Sequence, residues 1–99
     1  MNFKAVMTWF IPGSPIDDSL LGQQGIGFEK KLCSIKDEAE LARESGDADA
    51  VIILGMQAYS RRVLESLPRC RHICVIGIGY DGVDIPAATE MGVLVSNNP

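Results

Sequence analysis

The sequence lacks the features that several classes of protein require. Lysine and arginine total only 9 of its 99 residues, against 13 acidic residues, for a formal net charge of −4. A nucleic-acid-binding domain would show a basic stripe, so this balance argues against one. No apolar run approaches the roughly 20 residues that a membrane-spanning helix needs. Apolar residues still make up 46% of the chain, which excludes a disordered protein and predicts one small globular domain.

Cysteine is scarce as well. The three cysteines, Cys33, Cys70 and Cys74, form no Cys-x-x-Cys pair, and an odd number without that spacing suits neither a disulfide framework nor a zinc site. Cys74 lies in an apolar run and is expected to be buried, whereas Cys33 and Cys70 border polar segments and are expected to be partly exposed. The first apolar run ends at Pro12-Gly13 without a cleavage pattern, so it predicts a strand and not a signal peptide. We therefore expect reduced thiols in a cytoplasmic protein without a metal site.

Short apolar runs alternate with amphipathic segments along the chain. Strands are predicted at 3–10, 28–33, 50–54, 73–76 and 93–95, and helices after Asp17 or Asp18, at 34–44, after Ser60 and after Asp84. In the helix at 34–44, Ile35, Ala39 and Ala42 form the expected apolar stripe. The runs at 50–54 and 73–76 are apolar on both faces, as in a parallel sheet covered by helices. This alternation predicts a doubly wound α/β fold with the flavodoxin-like strand order 2-1-3-4-5.

Ligands of such sheets bind outside the carboxyl ends of the strands. One loop there, 77–82, matches the dinucleotide fingerprint G-x-G-x-x-G. However, the helix signal, Asp84 with Pro86, comes after the motif, so no helix N-terminus would hold a pyrophosphate. The next strand ends in Ser96-Asn97 and not in the acid that would bind a ribose hydroxyl. Besides dinucleotide binding, two hypotheses stay open: a tight turn with glycines at positive φ, and a turn whose N–H groups face a small anion.

Several segments in the second half of the chain form a pattern together. They are Asp47-Ala48-Asp49-Ala50-Val51-Ile52, Leu67-Pro68-Arg69-Cys70-Arg71-His72-Ile73, Gly77-Ile78-Gly79-Tyr80-Asp81-Gly82-Val83-Asp84, Ala87-Ala88 and Met91-Gly92-Val93-Leu94-Val95-Ser96-Asn97-Asn98-Pro99. Together they resemble the D-isomer-specific 2-hydroxyacid dehydrogenases, whose pattern is a G-x-G-x-D-x-x-D turn, an Ala-rich short helix, a G-[IV]-x-V strand and N-x-P. Residues 1–46 fit that family in element order only.

The resemblance implies that residues 1–99 are a single flavodoxin-like fragment of the substrate (catalytic) domain, from which the separate Rossmann cofactor domain is absent. In the family, that second domain carries the nicotinamide cofactor, NAD or NADP, and the catalytic Arg, Glu and His. We therefore expect no catalytic residue in this chain and no cofactor bound by it. The fragment would belong to an oxidoreductase acting on small D-2-hydroxy acids or 2-keto acids, and it would not be competent for catalysis alone.

By position, the resemblance assigns substrate binding to two loops. Gly77, Ile78 and Gly79 match the loop whose backbone amides hold the substrate carboxylate, and Gly55, Met56 and Gln57 match the loop on the other side of the pocket. Asn97 and Pro99 match the approach to the interdomain hinge. His72, the one histidine, precedes the fourth strand at its amino end, opposite this site, and is expected to be exposed to solvent.

A second class of function stays open: a stand-alone flavodoxin-like module that binds a small ligand or regulates a partner. A phosphoacceptor module would need acidic residues after the first strand, where the chain has Thr8-Trp9-Phe10. A flavin carrier would need a hydroxyl-rich phosphate loop, for which Ser14 alone is weak support. The dehydrogenase hypothesis predicts a small carboxylate substrate and the missing cofactor domain as partners, and no nucleic acid or membrane. Loss of that domain could expose an apolar edge, which leaves a homodimer open.

Overall fold

The computed structural model describes residues 3–9, 26–76, 79 and 81–98. The strands in this part of the chain are β1 (Phe3–Met7), β2 (Ile26–Lys30), β3 (Ala50–Leu54), β4 (His72–Ile76) and β5 (Leu94–Asn98), and the helices are α1 (Glu38–Ser45), α2 (Arg61–Glu65) and α3 (Ile85–Glu90). All neighbouring strands pair in parallel, in the order β2-β1-β3-β4-β5. The predicted flavodoxin-like strand order is confirmed. The helix predicted after Asp17 or Asp18 lies outside the described residues.

Each described helix begins after a short polar side chain that accepts a hydrogen bond from the first turn. Ser60 Oγ accepts from Val63 N at 3.4 Å, and Asp84 Oδ1 accepts from Ala87 N at 3.0 Å, so both predicted caps are confirmed. The predicted start of α1 at Ser34 is wrong. Asp37 caps this helix, and Ser34 Oγ accepts from Asp37 N at 3.1 Å in a turn that precedes the cap.

The later start of α1 changes which of its faces is buried. The predicted stripe is wrong because Ile35 precedes the helix and Ala39 is exposed. Leu41 and Ser45, one turn apart, are buried instead, at 0% and 1% exposure. A polar residue therefore occupies a core-facing position of α1.

The two faces of the sheet are buried to different degrees in the described residues. On one face, Val51, Ile53, Ile73 and Val75 are fully buried and pack with side chains from all three helices in one core cluster. Burial of each such side chain stabilises the fold by about 1.5–3 kcal/mol. The side chains at the alternate positions are less covered. Ile52 on β3 and Cys74 on β4 are half-buried, and Ile76, Leu94 and Phe3 are exposed. The prediction that β3 and β4 are buried on both faces is therefore met only on the face that packs against the helices.

Some local predictions need correction. β2 is an edge strand as predicted, but it runs from Ile26 to Lys30 and ends earlier than expected. Cys33 is buried, and its N–H donates to Thr8 O at 3.0 Å, so the segment after β2 still runs beside the end of β1. Cys70 is buried as well, whereas Cys74 is half-buried because its side chain lies on the less covered face, opposite Ile73 and Val75.

Candidate functional site

The carboxyl ends of β1, β3 and β4 bring together Thr8, the loop 55–57 and Gly79. Gly82 N donates to Gly55 O at 2.8 Å, so the two loops predicted to bind substrate are joined by a backbone hydrogen bond. Their closeness follows from the adjacent, parallel pairing of β3 with β4. Gly79 is described, while Gly77 and Ile78 lie outside the described residues.

Two glycines at this edge allow the loops to approach each other closely. A Cβ atom on Gly55 would collide with the carbonyl group of Gly79, and one on Gly82 would collide with the Gln57 carbonyl oxygen. A Cβ on Gly79, by contrast, would meet no atom of the described residues within 4 Å. Among the described glycines, only Gly46 and Gly92 have a positive φ. Gly55 and Gly82 are therefore needed because backbone groups approach them closely. None of the described glycines at this edge has a positive φ.

The three residues of the loop 55–57 point in different directions. Gly55 is buried, Met56 is 63% exposed, and Gln57 is 0% exposed. Gln57 N donates to Leu54 O at 2.9 Å, which closes a turn around Gly55 and Met56. Within the described part of the chain, the Met56 N–H meets no acceptor. Among the described residues of the predicted pocket, the exposed ones are therefore Met56 and Gly79.

The Gln57 side chain points into the protein and uses both ends of its amide. Its Oε1 accepts from Thr8 Oγ1 and from Leu54 N, each at 3.0 Å. Its Nε2 donates to Thr8 O at 3.1 Å and to Ser34 O at 3.2 Å. These four bonds connect the ends of β1 and β3 to the segment before α1. They satisfy the hydrogen-bonding capacity of a buried primary amide, which would otherwise be costly to bury.

Two further hydroxyl groups extend this cluster into the core. Tyr59 OH lies 3.1 Å from Thr8 Oγ1 and 2.8 Å from Ser45 Oγ. Burial raises the pKa of Tyr59 to about 12, so its phenol stays protonated at neutral pH. We call Thr8, Ser45, Gln57 and Tyr59 the buried polar cluster; all four are at most 1% exposed.

No local sequence pattern predicts the buried polar cluster as a whole. The Tyr59 hydroxyl reaches Thr8 across 51 positions of sequence and Ser45 across 14. Only Gln57 was singled out, and for a different reason. One local signal could have indicated this cluster once the start of α1 was known. Ser45 is a polar residue one turn after Leu41, on the buried face of the helix.

Other predicted residues lie away from this edge. His72 is at the amino end of β4 as expected, but it is half-buried, because its Nε2 lies 2.7 Å from Ser96 Oγ on β5. Asn97 was expected to follow the last strand and lies within β5, with an exposed side chain. Pro99 lies outside the described residues. The roles assigned to Asn97 and Pro99 at a hinge stay predictions.

The helix after the glycine turn does not suit a dinucleotide. The Asp84 carboxylate already accepts from Ala87 N, so its negative charge occupies the helix end where a pyrophosphate would bind. In the described residues there is no group of three or more His, Cys, Asp or Glu side chains that could hold a metal ion. Nor does any helix in that part of the chain have the length and apolar character needed to cross a membrane.

Comparison with known proteins places this geometry in a family context. Residues 9–99 match the description of the D-isomer specific 2-hydroxyacid dehydrogenase catalytic domain. A glyoxylate reductase from Thermococcus gammatolerans is 32% identical over 104 aligned positions, covering 100% of this chain and 29% of that protein. A D-3-phosphoglycerate dehydrogenase from Methanocaldococcus jannaschii is 35% identical over 60 residues, which cover 61% of this chain and 12% of that protein. The chain thus spans less than a third of the length of these relatives.

Solved structures show the same fold. The crystal structure of an NAD⁺-bound 3-phosphoglycerate dehydrogenase from Entamoeba histolytica superposes with a TM-score of 0.80 at 22% identity, over 100% of this chain and 33% of that one. A 2-hydroxyacid dehydrogenase from Ketogulonicigenium vulgare superposes with a TM-score of 0.68 at 27% identity, over 97% of this chain and 29% of that one. The five-stranded sheet is therefore an architecture that these dehydrogenases share.

Proposed function

The chain belongs to the D-isomer-specific 2-hydroxyacid dehydrogenase family, as part of its catalytic domain, and from this premise we propose that its carboxyl-end loops hold the carboxylate of a small 2-hydroxy or 2-keto acid. Residues 1–99 would then be one flavodoxin-like unit of an NAD- or NADP-dependent oxidoreductase. Glyoxylate, the substrate in the name of the Thermococcus gammatolerans relative, is the simplest member of this class of acids. The cofactor domain that completes such an enzyme is a separate partner in this proposal.

One observation carries the proposal: Met56 and Gly79 are exposed residues at adjacent strand ends, and their loops are held together by the bond between Gly82 N and Gly55 O. Backbone N–H groups bind carboxylates through charge-assisted hydrogen bonds, which are shorter and stronger than neutral ones. Because a Cβ on Gly79 would meet open space, an incoming oxygen can approach that backbone closely. The geometry suits an anion with two oxygen atoms spanning two loops.

The role of this chain in the reaction would be to bind and orient the acid. A nicotinamide group, when bound by the second domain, supplies or accepts the hydride at the substrate C2 atom. The loops 55–57 and 77–79 would fix the carboxylate and so determine which face of that carbon is presented. The one histidine, His72, begins β4 at the opposite end of the sheet, so in this proposal it is not the catalytic acid or base.

β5 and the cysteines support the proposed partners and location. β5 is an edge strand of the sheet and Leu94 on it is 64% exposed, which supports an apolar contact with another domain or with a second copy. All three cysteines are free, which supports a reducing compartment such as the cytoplasm.

The proposal is tested by titrating the ¹⁵N-labelled protein with glyoxylate and following backbone amide shifts. We expect saturable shifts at Met56 and Gly79, because their N–H groups would face the carboxylate. Glycolaldehyde, which lacks the carboxylate, serves as the matched control and should shift neither amide. Shifts confined to the amino end of the sheet, or no response, would contradict the proposal. Micromolar binding of NADH at the same loop would favour direct dinucleotide binding, and binding of FMN would favour a stand-alone module.

A further inference from the structure

The Gln57 side chain has no spare hydrogen-bonding capacity for a ligand. Both amide hydrogens are donated, to Thr8 O and Ser34 O, and Oε1 accepts from Thr8 Oγ1 and Leu54 N. The side chain is 0% exposed, so substrate could not reach it without opening the turn. Its influence on the candidate site must therefore pass through the backbone that it holds.

The proton directions in the buried polar cluster follow from counting donors. Thr8 has one hydroxyl proton, and it is donated to Gln57 Oε1, which has no proton to give. Tyr59 must then donate to Thr8 Oγ1, which uses the only phenolic proton. Ser45 must in turn donate to Tyr59 OH. The result is a one-way chain of hydrogen bonds from α1 to the Gln57 amide, whose orientation is fixed by the Leu54 N–H on one side and the Thr8 and Ser34 carbonyl oxygens on the other.

We propose that Gln57 is a positioning residue for the carboxylate-binding loop: its buried amide fixes the 54–57 turn and thereby the direction of the Met56 N–H. This inference rests on the function proposed above and adds the residue that sets the geometry of that site. Two hydrogen bonds close this turn. Leu54 N donates to the Gln57 side-chain oxygen Oε1, and Gln57 N donates to the backbone oxygen of Leu54.

Gln57 also sets the distance between the two loops. A Cβ on Gly82 would collide with the Gln57 carbonyl oxygen, so this peptide group lies directly against the glycine turn. Tyr59 N donates to the same oxygen at 2.9 Å and limits its movement. A displacement of Gln57 would therefore shift both loops that are proposed to face the carboxylate, and a misplacement of about 1 Å can cost an enzyme roughly 100-fold in rate.

The Gln57→Glu variant tests this inference through pH. One carboxyl oxygen can still accept from Thr8 Oγ1 and Leu54 N, but the other must face the Thr8 and Ser34 carbonyl oxygens. A neutral carboxylic acid can donate to one of them, whereas an ionised one is repelled by both. Burial and these two carbonyl groups should hold the pKa of the introduced carboxyl well above its usual range. The turn should be intact at low pH and disturbed at high pH.

Other titratable groups lie around the same position and are common to both proteins. Burial raises the pKa of Cys33 to about 11 and that of Tyr59 to about 12, so neither ionises near neutrality. The Glu40 carboxylate of α1 accepts from Ser34 N at 2.5 Å, and Asp37 and Glu38 begin the same helix. His72 lies at the other end of the sheet. The unmodified protein, titrated in parallel, controls for all of them.

We expect the Gln57→Glu protein to bind glyoxylate within about twofold of the unmodified protein at pH 5 and about tenfold more weakly at pH 8. The unmodified protein should show no such change. Circular dichroism at both pH values establishes that the variant is folded. If it unfolds at pH 8, Gln57→Met measured at pH 7 takes its place, since this side chain keeps the volume and removes the amide; we expect at least tenfold weaker binding there too.

A core variant separates positioning from simple loss of stability. Ile73→Val removes one buried methylene group on β4 and should lower stability without changing the glyoxylate Kd. Equal binding by the folded Gln57→Glu protein at pH 5 and pH 8 would overturn the positioning role and leave the proposed function standing. An unmodified protein whose Met56 and Gly79 amides ignore glyoxylate would overturn both.

Discussion

The two ends of the sheet are held together by different interactions. At the carboxyl end, the buried polar cluster is neutral and at most 1% exposed. At the amino end, the side chains are charged and reach into solvent: Lys4 Nζ lies 2.8 Å from both Asp47 and Glu29, and Arg69 lies 3.2 Å from Asp49. Hydrogen bonds to Asp47 and Glu29 raise the pKa of Lys4, so it stays charged.

This difference indicates which end of the sheet is built to keep a fixed geometry. A buried group that loses its partner costs about 1–3 kcal/mol, whereas an exposed ion pair can be replaced by water at little cost. Small displacements are therefore penalised at the carboxyl end and tolerated at the amino end. The end with the tighter geometry is also the one where the candidate carboxylate site lies.

The largest expected effect is at Gly55. In Gly55→Ala, the new Cβ collides with the Gly79 carbonyl group and approaches Val75 Cγ1 at 3.0 Å, so backbone must move. We expect a loss of at least about 3 kcal/mol in the free energy of unfolding, because rigid backbone cannot relax as a side chain does. Urea denaturation followed by circular dichroism measures it.

Gly79→Ala is the matched control for this steric argument, because its Cβ would meet no atom within 4 Å. It should change the free energy of unfolding by less than about 1 kcal/mol. Equal losses for the two alanine variants would show that close approach of the loops does not explain Gly55.

An intermediate effect is expected at Tyr59. Tyr59→Phe removes the acceptor of the Ser45 hydroxyl and the donor to Thr8 Oγ1 while keeping the ring, so we expect a loss of about 1–2 kcal/mol at pH 7. Urea midpoints of the two proteins, compared at equal pH, provide the measurement.

The same pair of proteins gives a pH dependence with a definite sign. The pKa of Tyr59 is about 12 in the folded protein against 10.0 ordinarily, so above pH 10 the unfolded chain loses this proton first. Stability is therefore unaffected by this group below pH 10, and its ionisation destabilises the folded protein by up to roughly 3 kcal/mol as pH rises to about 12. The Tyr59→Phe protein has no phenol at this position and should lack this pH-dependent loss of stability. A difference between the two proteins that stays constant from pH 9 to pH 12 would rule out the buried phenol as its source.

The smallest effect is expected at the amino end. Lys4→Met removes the cation that contacts Asp47 and Glu29 but leaves the backbone bond from Lys4 N to Asp49 Oδ2, at 2.8 Å, in place. Because these side chains are partly exposed, we expect a small decrease in the urea midpoint that disappears at 1 M salt, where charges are screened. A decrease as large as that of Tyr59→Phe would remove the contrast between the two ends.

Local signals allowed much of the fold to be predicted. β3 was predicted at 50–54 and is found at Ala50–Leu54, because an uninterrupted apolar run lies between Asp49 and Gly55. Gly46 ends α1 as predicted, with its N–H donating to Ala42 O. The boundaries of β2 and α1 were predicted less well. Short polar residues stand at both Ser34 and Asp37, and Asp37 is the one that caps α1. The extent of β2 follows its pairing with β1, from Ile26 to Lys30, which the local sequence pattern does not show.

The candidate site was predicted in position but not in detail. The loops 55–57 and 77–79 were assigned by resemblance, and β3 and β4 do bring Gly55 and Gly79 into contact. Their role in substrate binding stays a prediction. The inward direction of Gln57 could not be predicted, because its partners are Thr8, 49 positions away, and Ser34, 23 positions away.

The sequence by itself determined the order of strands and helices, the caps at Ser60 and Asp84, and the motifs that place the chain in its family. Each of these depends on a few neighbouring residues and on the conformations that their backbone prefers. Only the tertiary structure decided that Gln57 is buried, that Gly55 must lack a side chain, and that Cys33 is covered while Cys74 is not fully so. These outcomes depend on contacts between distant segments, which form only when the parallel strands lie side by side.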